Sequence, residues 1–312
     1  MKLVTVTPNT SVDRTLEVPH LVVGGHLKGR IVRLQPGGKG VNVSRCLAAL
    51  GVPSVVAGLV GAAELALFRD SFAGTCATVE LVPAAQPTRT CTTLLDPELG
   101  TDTHIRETGS AVTPGEVEAL RARLEALATP GALVVFCGSL PPGMSDDDLA
   151  SLLATCQARG AQVAADLNGS QLAAALAAGP LVVKPNVEEL GECLGRDLSG
   201  AGEEVLVAAA RSLLDRAGTV LVTRGRDGAL AVRQGEAVAA SVEVGAARST
   251  VGCGDAFLAG YLAGLWRGMG FDESVRLAAA CGAAQALAEA PGQLSAGHVE
   301  ALAPSVAIRA IP

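Results

Sequence analysis

The sequence predicts an α/β protein: a central, mostly parallel sheet flanked by helices, with short strands left over. Two observations predict it. Candidate strands alternate with helical patterns along most of the chain, and such alternation builds a parallel sheet covered on both faces. Two pairs of short strand candidates, Thr15–Val18 with Ile31–Leu34 and Thr90–Leu95 with Thr103–Arg106, are not followed by crossover helices and fall outside that sheet. A chain of 312 residues can bury a large core in one domain, or in one domain with a small appendage.

The elements follow in order. Met1–Thr7 reads as a strand, with Leu3–Thr7 at its centre, ended by Pro8 and Asn9. Gly40–Leu50 is helical: Val43, Leu47 and Leu50 make the apolar stripe and Gly51 stops it. The remaining strand candidates are Ser54–Leu59, Leu133–Cys137, Gln162–Ala165, Leu181–Val183 and Val220–Thr223. Between them lie helical patterns at Pro114–Ala128, Asp146–Ala158 and Glu203–Ala217, and Ala256–Trp266 follows as an apolar helix. No internal repeat, charge block or low-complexity linker interrupts the chain.

Composition excludes several function classes. Hydrophobic residues make up 49%, but much of this is alanine, and no run approaches the roughly 20 apolar residues of a membrane span. The N-terminus has no long apolar signal core. A net charge of −7 argues against a nucleic-acid surface and means that an anionic substrate needs local basic groups. The eight cysteines, Cys46, Cys76, Cys91, Cys137, Cys156, Cys193, Cys253 and Cys281, include no Cys-x-x-Cys pair, and only four histidines are present. That speaks against structural zinc and for a reduced, cytoplasmic protein.

Two glycine clusters carry the chemistry. In Thr250–Phe257, Gly252-Cys253-Gly254 precedes Asp255 and the apolar helix. Two glycines let backbone N–H groups converge, and the helix adds its positive end, which suits a transferring phosphoryl group. Asp255 is placed to take a proton from an attacking hydroxyl. The alternative is a tight turn with an aspartate cap. The second cluster, Pro36-Gly37-Gly38-Lys39-Gly40-Val41-Asn42-Val43, opens the first helix and offers Lys39 and Asn42 as polar groups. It is neither a Walker A loop nor a dinucleotide fingerprint. A nicotinamide-dependent enzyme is therefore not indicated.

Together with Thr7-Pro8-Asn9-Thr10-Ser11-Val12-Asp13, Cys137-Gly138-Ser139-Leu140-Pro141-Pro142-Gly143 and Lys184-Pro185-Asn186-Val187-Glu188-Glu189-Leu190, these clusters resemble the PfkB/ribokinase family of sugar kinases. Within it they are similar to the 1-phosphofructokinase and tagatose-6-phosphate kinase branch, over nearly the full length. The resemblance implies a ribokinase-like fold in one domain, residues 1–312. It also implies a small β-sheet lid formed by about 13–36 and 86–107, and a homodimer through that lid.

The resemblance further implies roles. Asp13 would bind sugar hydroxyls, and Gly37, Gly38, Lys39 and Asn42 would line the sugar. Lys28 and Arg89 would read a phosphate already on the acceptor, with Arg30 and Arg33 competing for the place of Lys28, and Ser139 would add a contact. A guanidinium grips two phosphate oxygens at once. Lys184, Asn186, Glu189, Thr223, Arg224, Gly225, Gly228 and Gln285 would form the nucleotide side, with Gln285 and Gly282 near the adenine. Asn186 and Glu189 would organise magnesium through water. Asp166 matches a family loop but is assigned no catalytic part. Arg224 departs from the family pattern and would place a cation near phosphate or ribose.

The implied activity is ATP- and magnesium-dependent phosphoryl transfer to a ketohexose phosphate, foremost fructose 1-phosphate. Asp255 would be the base and Gly252, Cys253 and Gly254 the anion hole. Tagatose 6-phosphate and fructose 6-phosphate are the alternatives, and a catalytically silent sugar-phosphate sensor is the alternative of another class. Cys253, at a helix start between two glycines, is expected to carry a lowered thiol pKa and to react first with alkylating agents. A thiol packed inward and inert is the opposing expectation.

Overall fold

The computed structural model describes residues 1–245 and 247–312. The chain opens with β1 (Lys2–Thr7), whose residues after Lys2 are all buried, as a strand covered on both faces requires. β2 (Ser11–Glu17) and β3 (Arg30–Gly37) pair antiparallel, and α1 (Lys39–Ala49) follows without a break. Gly38 joins them at φ 112°, a backbone angle open to glycine. β4 (Ser54–Gly61), α2 (Leu65–Ser71), β5 (Ala77–Ala84), β6 (Arg89–Asp96) and β7 (Thr101–Arg106) come next.

Two helices in the middle of the chain begin with reciprocal caps. α3 (Pro114–Leu127) is capped by Thr113 with Glu116, and α4 (Asp146–Ala158) by Ser145 with Asp148. They alternate with β8 (Ala132–Cys137) and β9 (Gln162–Asp166). α5 (Gly169–Ala177), β10 (Val182–Val183), α6 (Val187–Leu194), α7 (Glu203–Arg211) and β11 (Thr219–Thr223) continue the alternation. β12 (Ala229–Arg233) and β13 (Glu236–Ser241) then form a hairpin. The chain closes with α8 (Cys253–Trp266), α9 (Phe271–Ala286), α10 (Ala296–Leu302) and β14 (Ala307–Ala310).

The ten-stranded sheet has the order β14-β13-β12-β11-β10-β9-β8-β1-β4-β5. β5 through β11 in that order are parallel, and β12, β13 and β14 extend the edge antiparallel. One face is covered by α3, α4, α5 and α7, through residues such as Leu124, Leu153, Leu172 and Leu206. The other is covered by α1, α8, α9 and α10, through Leu47, Leu262, Val275 and Val299. Each fully buried leucine contributes about 2 kcal/mol of apolar transfer. The second sheet has four strands in the order β3-β2-β6-β7, with β2 and β6 parallel.

The helix expected over Glu203–Ala217 stops at Arg211. Beyond it the chain makes three-residue turn bonds, Leu213 N to Ala210 O at 3.1 Å and Arg216 N to Leu213 O at 3.0 Å. These bury Leu213 and tighten the path into β11. Chain segments leaving the carboxyl ends of β1, β8, β9, β10 and β11 all reach one edge of the sheet, where ligands bind in open α/β sheets.

Candidate active site

Gly252 caps α8 with φ 81°, and the place where its Cβ would stand is 3.0 Å from Pro291 Cβ. Backbone conformation and space both require glycine there. Cys253 N makes a long turn bond to the Thr250 carbonyl at 3.4 Å, whereas the next N–H groups of α8, those of Gly254 and Asp255, have no carbonyl one turn back and are available to an anion. Asp255 lies in this first turn and is buried. Asn42 Nδ2, from α1, donates to Asp255 Oδ2 at 2.8 Å. Burial and then the Asp166 carboxylate push Asp255 up to about 6, against the pull of Lys39, the Asn42 bond and Lys184. A carboxylate with that value accepts protons near neutral pH.

Beside it stands an alternating charge network. Lys39 Nζ lies 3.0 Å from Asp166 Oδ1 and 3.4 Å from Glu189 Oε1. Lys184 Nζ shares the same Asp166 oxygen at 3.3 Å. It is also 3.3 Å from the point a Gly254 Cβ would occupy, so its ammonium abuts the glycine loop. Burial pushes Asp166 up, but Lys184 and Lys39 outweigh it and hold the carboxyl below its ordinary value. Burial likewise disfavours charge on Lys39, and Asp166, Glu189 and Asp255 reverse that and raise it. Asp166, given no part from sequence, is thus the anchor of both lysines. Its other oxygen, Oδ2, is buried without a hydrogen-bond partner.

Asn186 and Glu189 form the capping box of α6: Glu189 N donates to Asn186 Oδ1 at 2.7 Å and Asn186 N to Glu189 Oε2 at 2.8 Å. Their spacing therefore builds a helix start, and it leaves Glu189 Oε1 facing Lys39. Among the described residues no group of three or more His, Cys, Asp and Glu could hold a metal ion.

At the acceptor end, Asp13 on β2 stands against Gly37, where any Cβ would strike its carboxylate. Ser11 Oγ donates to Asp13 Oδ1 at 2.7 Å. Burial raises the Asp13 pKa, opposed by the Ser11 bond and the charges of Arg45, Arg89 and Arg106. Arg45 and Arg106 were not singled out in the sequence, because nothing in the residues around them announces their proximity to Asp13. The Arg89 guanidinium donates to the backbone carbonyls of Thr10, Glu107 and Asn9 at 3.3, 3.0 and 3.0 Å. Arg89 and Ser139 line one cavity of about 600 Å³. Lys28 is exposed and has no ion pair among the described residues. Its two competitors are engaged, Arg30 with Glu17 at 3.1 Å and Arg33 with Glu289 at 3.2 Å.

Of the residues expected on the nucleotide side, Asn186, Thr223, Arg224 and Gly225 line a cavity of about 370 Å³. Gly228, at φ 81°, would drive a Cβ into the Ala240 carbonyl. Arg224 lines that cavity with its guanidinium already engaged. It reaches Glu203 Oε2 at 3.4 Å and the Asp227 carbonyl at 2.9 Å, and Glu203 also pairs with Arg309 at 2.6 Å. Gln285 is buried and donates to the Ala290 carbonyl at 2.8 Å, and Gly282 sits against the Cys253 carbonyl.

The expected activation of Cys253 is reversed. Burial, and secondarily Asp255, push its thiol up to about 11. Its Sγ lies 3.8 Å from the Ser249 carbonyl. Lost water, and then the neighbouring carboxylate, disfavour the thiolate there.

Residues 1–295 match the family described as pfkB family carbohydrate kinase. The chain is 38% identical over 317 residues to 1-phosphofructokinase of Rhodobacter capsulatus, covering 100% of this chain and 99% of the relative. It is 31% identical to 1-phosphofructokinase of Bacillus subtilis, with 97% and 98% covered, and 31% identical to ATP-dependent 6-phosphofructokinase isozyme 2 of Mycobacterium tuberculosis, with 96% and 88% covered. Among solved structures it is similar to phosphofructokinase-2 from Escherichia coli in complex with fructose-6-phosphate, with TM-score 0.88, 27% identity and 97% and 98% of the chains covered.

Proposed function

The chain belongs to the pfkB family of carbohydrate kinases, and on that premise we propose that it transfers a phosphoryl group from ATP to fructose 1-phosphate, giving fructose 1,6-bisphosphate. The observation that carries the reading is Asp255: a buried carboxylate raised to about 6, held by Asn42, in the first turn of a helix whose glycine start is open to an anion. The choice of acceptor leans on the relatives named 1-phosphofructokinase, whose length this chain spans.

In this reading an acceptor hydroxyl donates to Asp255, which takes its proton as the oxygen attacks. The N–H groups at Gly252–Gly254 and the helix field stabilise charge on the transferring group, and little covalent work is left to the protein. Lys184 faces that group, and Asp166 fixes Lys184 and Lys39 in place. Asp13 accepts hydrogen bonds from sugar hydroxyls. Arg89, Arg106 and Lys28 draw in the acceptor's phosphate, and Ser139 adds a polar contact. The Thr223–Gly225 turn and Gly228 line the nucleotide.

Magnesium fits the donor set. The carboxylates of Glu189 and Asp166, the latter with an unpartnered buried oxygen, offer oxygen ligands beside the phosphate site. Too few groups converge for an all-protein cage, so water and phosphate would complete the shell. When bound, the ion neutralises charge on the nucleotide phosphates.

The family's lid arrangement is proposed for about 13–36 and 86–107, within a single unit of residues 1–312. Ile31, Leu34 and Ile105 on the small sheet are more than half exposed, at 57%, 55% and 53%, which supports a homodimer closing over that sheet. All eight cysteines are free, and no helix among the described residues is long and apolar enough to cross a membrane. Both agree with a cytoplasmic enzyme.

A coupled ADP-release assay over fructose 1-phosphate, fructose 6-phosphate, tagatose 6-phosphate, fructose and ribose tests the proposal. The highest kcat/KM is expected for fructose 1-phosphate. A preference for fructose 6-phosphate would move the chain to the activity named for its Mycobacterium tuberculosis relative. A preference for an unphosphorylated sugar would overturn the phosphate-bearing acceptor, and no ADP release with any of them would favour the sensor.

A further inference from the structure

The nine residues between α9 and α10 touch three parts of the molecule at once. From the small sheet, Arg33 donates to the Glu289 carbonyl at 2.7 Å and to its carboxylate at 3.2 Å. Gln35, two residues on and on the same strand face, donates to the Pro291 carbonyl at 3.3 Å and accepts from Gln293 at 3.3 Å. From the loop before α8, Arg248 pairs with Glu289 at 3.3 Å. Pro291 packs on Gly252, and Gly292 lies against Asn42 and Arg45, with Arg45 Cδ 3.0 Å from the place of its Cβ.

We propose that this connector is a strap through which the small sheet sets the geometry of the glycine loop, with Arg33 and Gln35 as positioning residues for phosphoryl transfer. This deepens the kinase reading and rests on it. The reasoning is steric. Gly252 takes the left-handed third position of the turn that Cys253 N closes on the Thr250 carbonyl, and Pro291 closes the space above it. The strap is pinned from α9 by Gln285, which donates to the Ala290 carbonyl at 2.8 Å, and from the small sheet by Arg33 and Gln35 of β3, the strand that ends at Gly37 beside Asp13. A shift of β3 when an acceptor reaches Asp13 is therefore passed to Pro291, and from Pro291 to the loop that holds the transferring group. Asn42, which orients Asp255, lies under the same strap, so base and anion hole move together.

Arg33 was also a candidate for the acceptor phosphate, and the experiment separates the two roles. Hydrogen exchange is followed in peptides spanning residues 250–257 and 287–293, beside steady-state kinetics. The variants are Arg33→Ala, Arg33→Ala with Gln35→Ala, and Arg33→Lys, which keeps a donor for the Glu289 carbonyl. Arg123→Ala, which breaks the exposed pair with Glu80 elsewhere, is the control. The strap predicts about 10-fold faster exchange in both peptides for the double variant and partial recovery in Arg33→Lys. It also predicts about a 10-fold loss in kcat with a smaller change in either KM. Unchanged exchange at 250–257 in the double variant overturns the strap. A rise in KM for the sugar phosphate alone, with kcat kept, makes Arg33 an acceptor ligand and also overturns it. Absence of sugar-phosphate-dependent ADP release by the wild-type chain overturns the kinase reading, while the exchange measurement still decides the strap.

Discussion

Asp255→Asn removes a carboxyl that burial, and then the Asp166 carboxylate, hold at about 6 against an ordinary 3.8. A carboxyl raised in this way keeps its proton more readily in the folded chain than in the unfolded one. It costs nothing below about pH 4, and the cost grows as pH rises from 3.8 to about 6, where it levels off. At about 1.4 kcal/mol per pH unit the full gap amounts to about 3 kcal/mol of stability that the wild type forgoes at neutral pH. Asparagine carries no charge and still offers an oxygen to Asn42 Nδ2, so the variant recovers most of that. Melting is expected to rise on the order of 5 °C near pH 7.5, and the gain should shrink to about a third near pH 4.5. In the same variant kcat should fall roughly 10²–10⁴-fold, since the base acts in the transition state. Calorimetry at the two pH values and a single kinetic series check both. Equal melting gains at the two pH values would refute the raised carboxyl, and more than about a third of kcat retained would refute its role as base.

For the wild type, kcat/KM should decline as pH falls through about 6, because Asp255 must be ionised to act; a pH profile with its acid limb near 4 would contradict this. Arg89→Ala should raise KM for the sugar phosphate by about 10-fold or more and also lower the melting temperature, since the carbonyls of Asn9, Thr10 and Glu107 lose their donor. Glu189→Gln should move the magnesium titration upward with little change in melting, because the amide oxygen still caps α6; an unmoved titration would take Glu189 out of the metal site. Brief alkylation followed by peptide mapping should label the exposed Cys76 before Cys253, and Cys253→Ala should stay active.

Elements with strong local signals were legible in the sequence. The apolar runs at β1, β8 and β11 and the capped helices α3 and α4 announce themselves by pattern. β12, β13 and β14 did not, because strands such as Ala229–Arg233 and Ala307–Ala310 are short and alanine-rich, and alanine carries little strand signal. In the site, residues within the two glycine-bearing segments could be picked out before the fold was known: Gly252, Asp255, Gly37 and Asn42. Asp166, Arg45 and Arg106 could not. Their positions depend on which strand lies beside which, a long-range property that local pattern does not encode. The partners of Arg224 and the protonation of Cys253 were not legible either. A remote glutamate, Glu203, takes up the guanidinium, and burial decides the protonation of the thiol.

The glycine loop also limits what variation this segment tolerates. At position 252 a side chain meets both a left-handed backbone and Pro291, so any replacement strains the fold itself. At position 254 the backbone is permissive, and an added methyl meets only the end of Lys184. Gly254→Ala would then fold, with the end of Lys184 displaced from the loop and turnover lowered. Between them, position 253 would offer only its N–H to the proposed anion hole, a group that also makes a long turn bond to the Thr250 carbonyl. A saturation library over these three codons, selected once for folding and once for turnover, would separate them. Position 252 would be depleted in both selections, position 254 in the second alone, and position 253 would keep small residues in each. Under the proposed function, that freedom is how a thiol can stand in the middle of this loop without taking part in phosphoryl transfer.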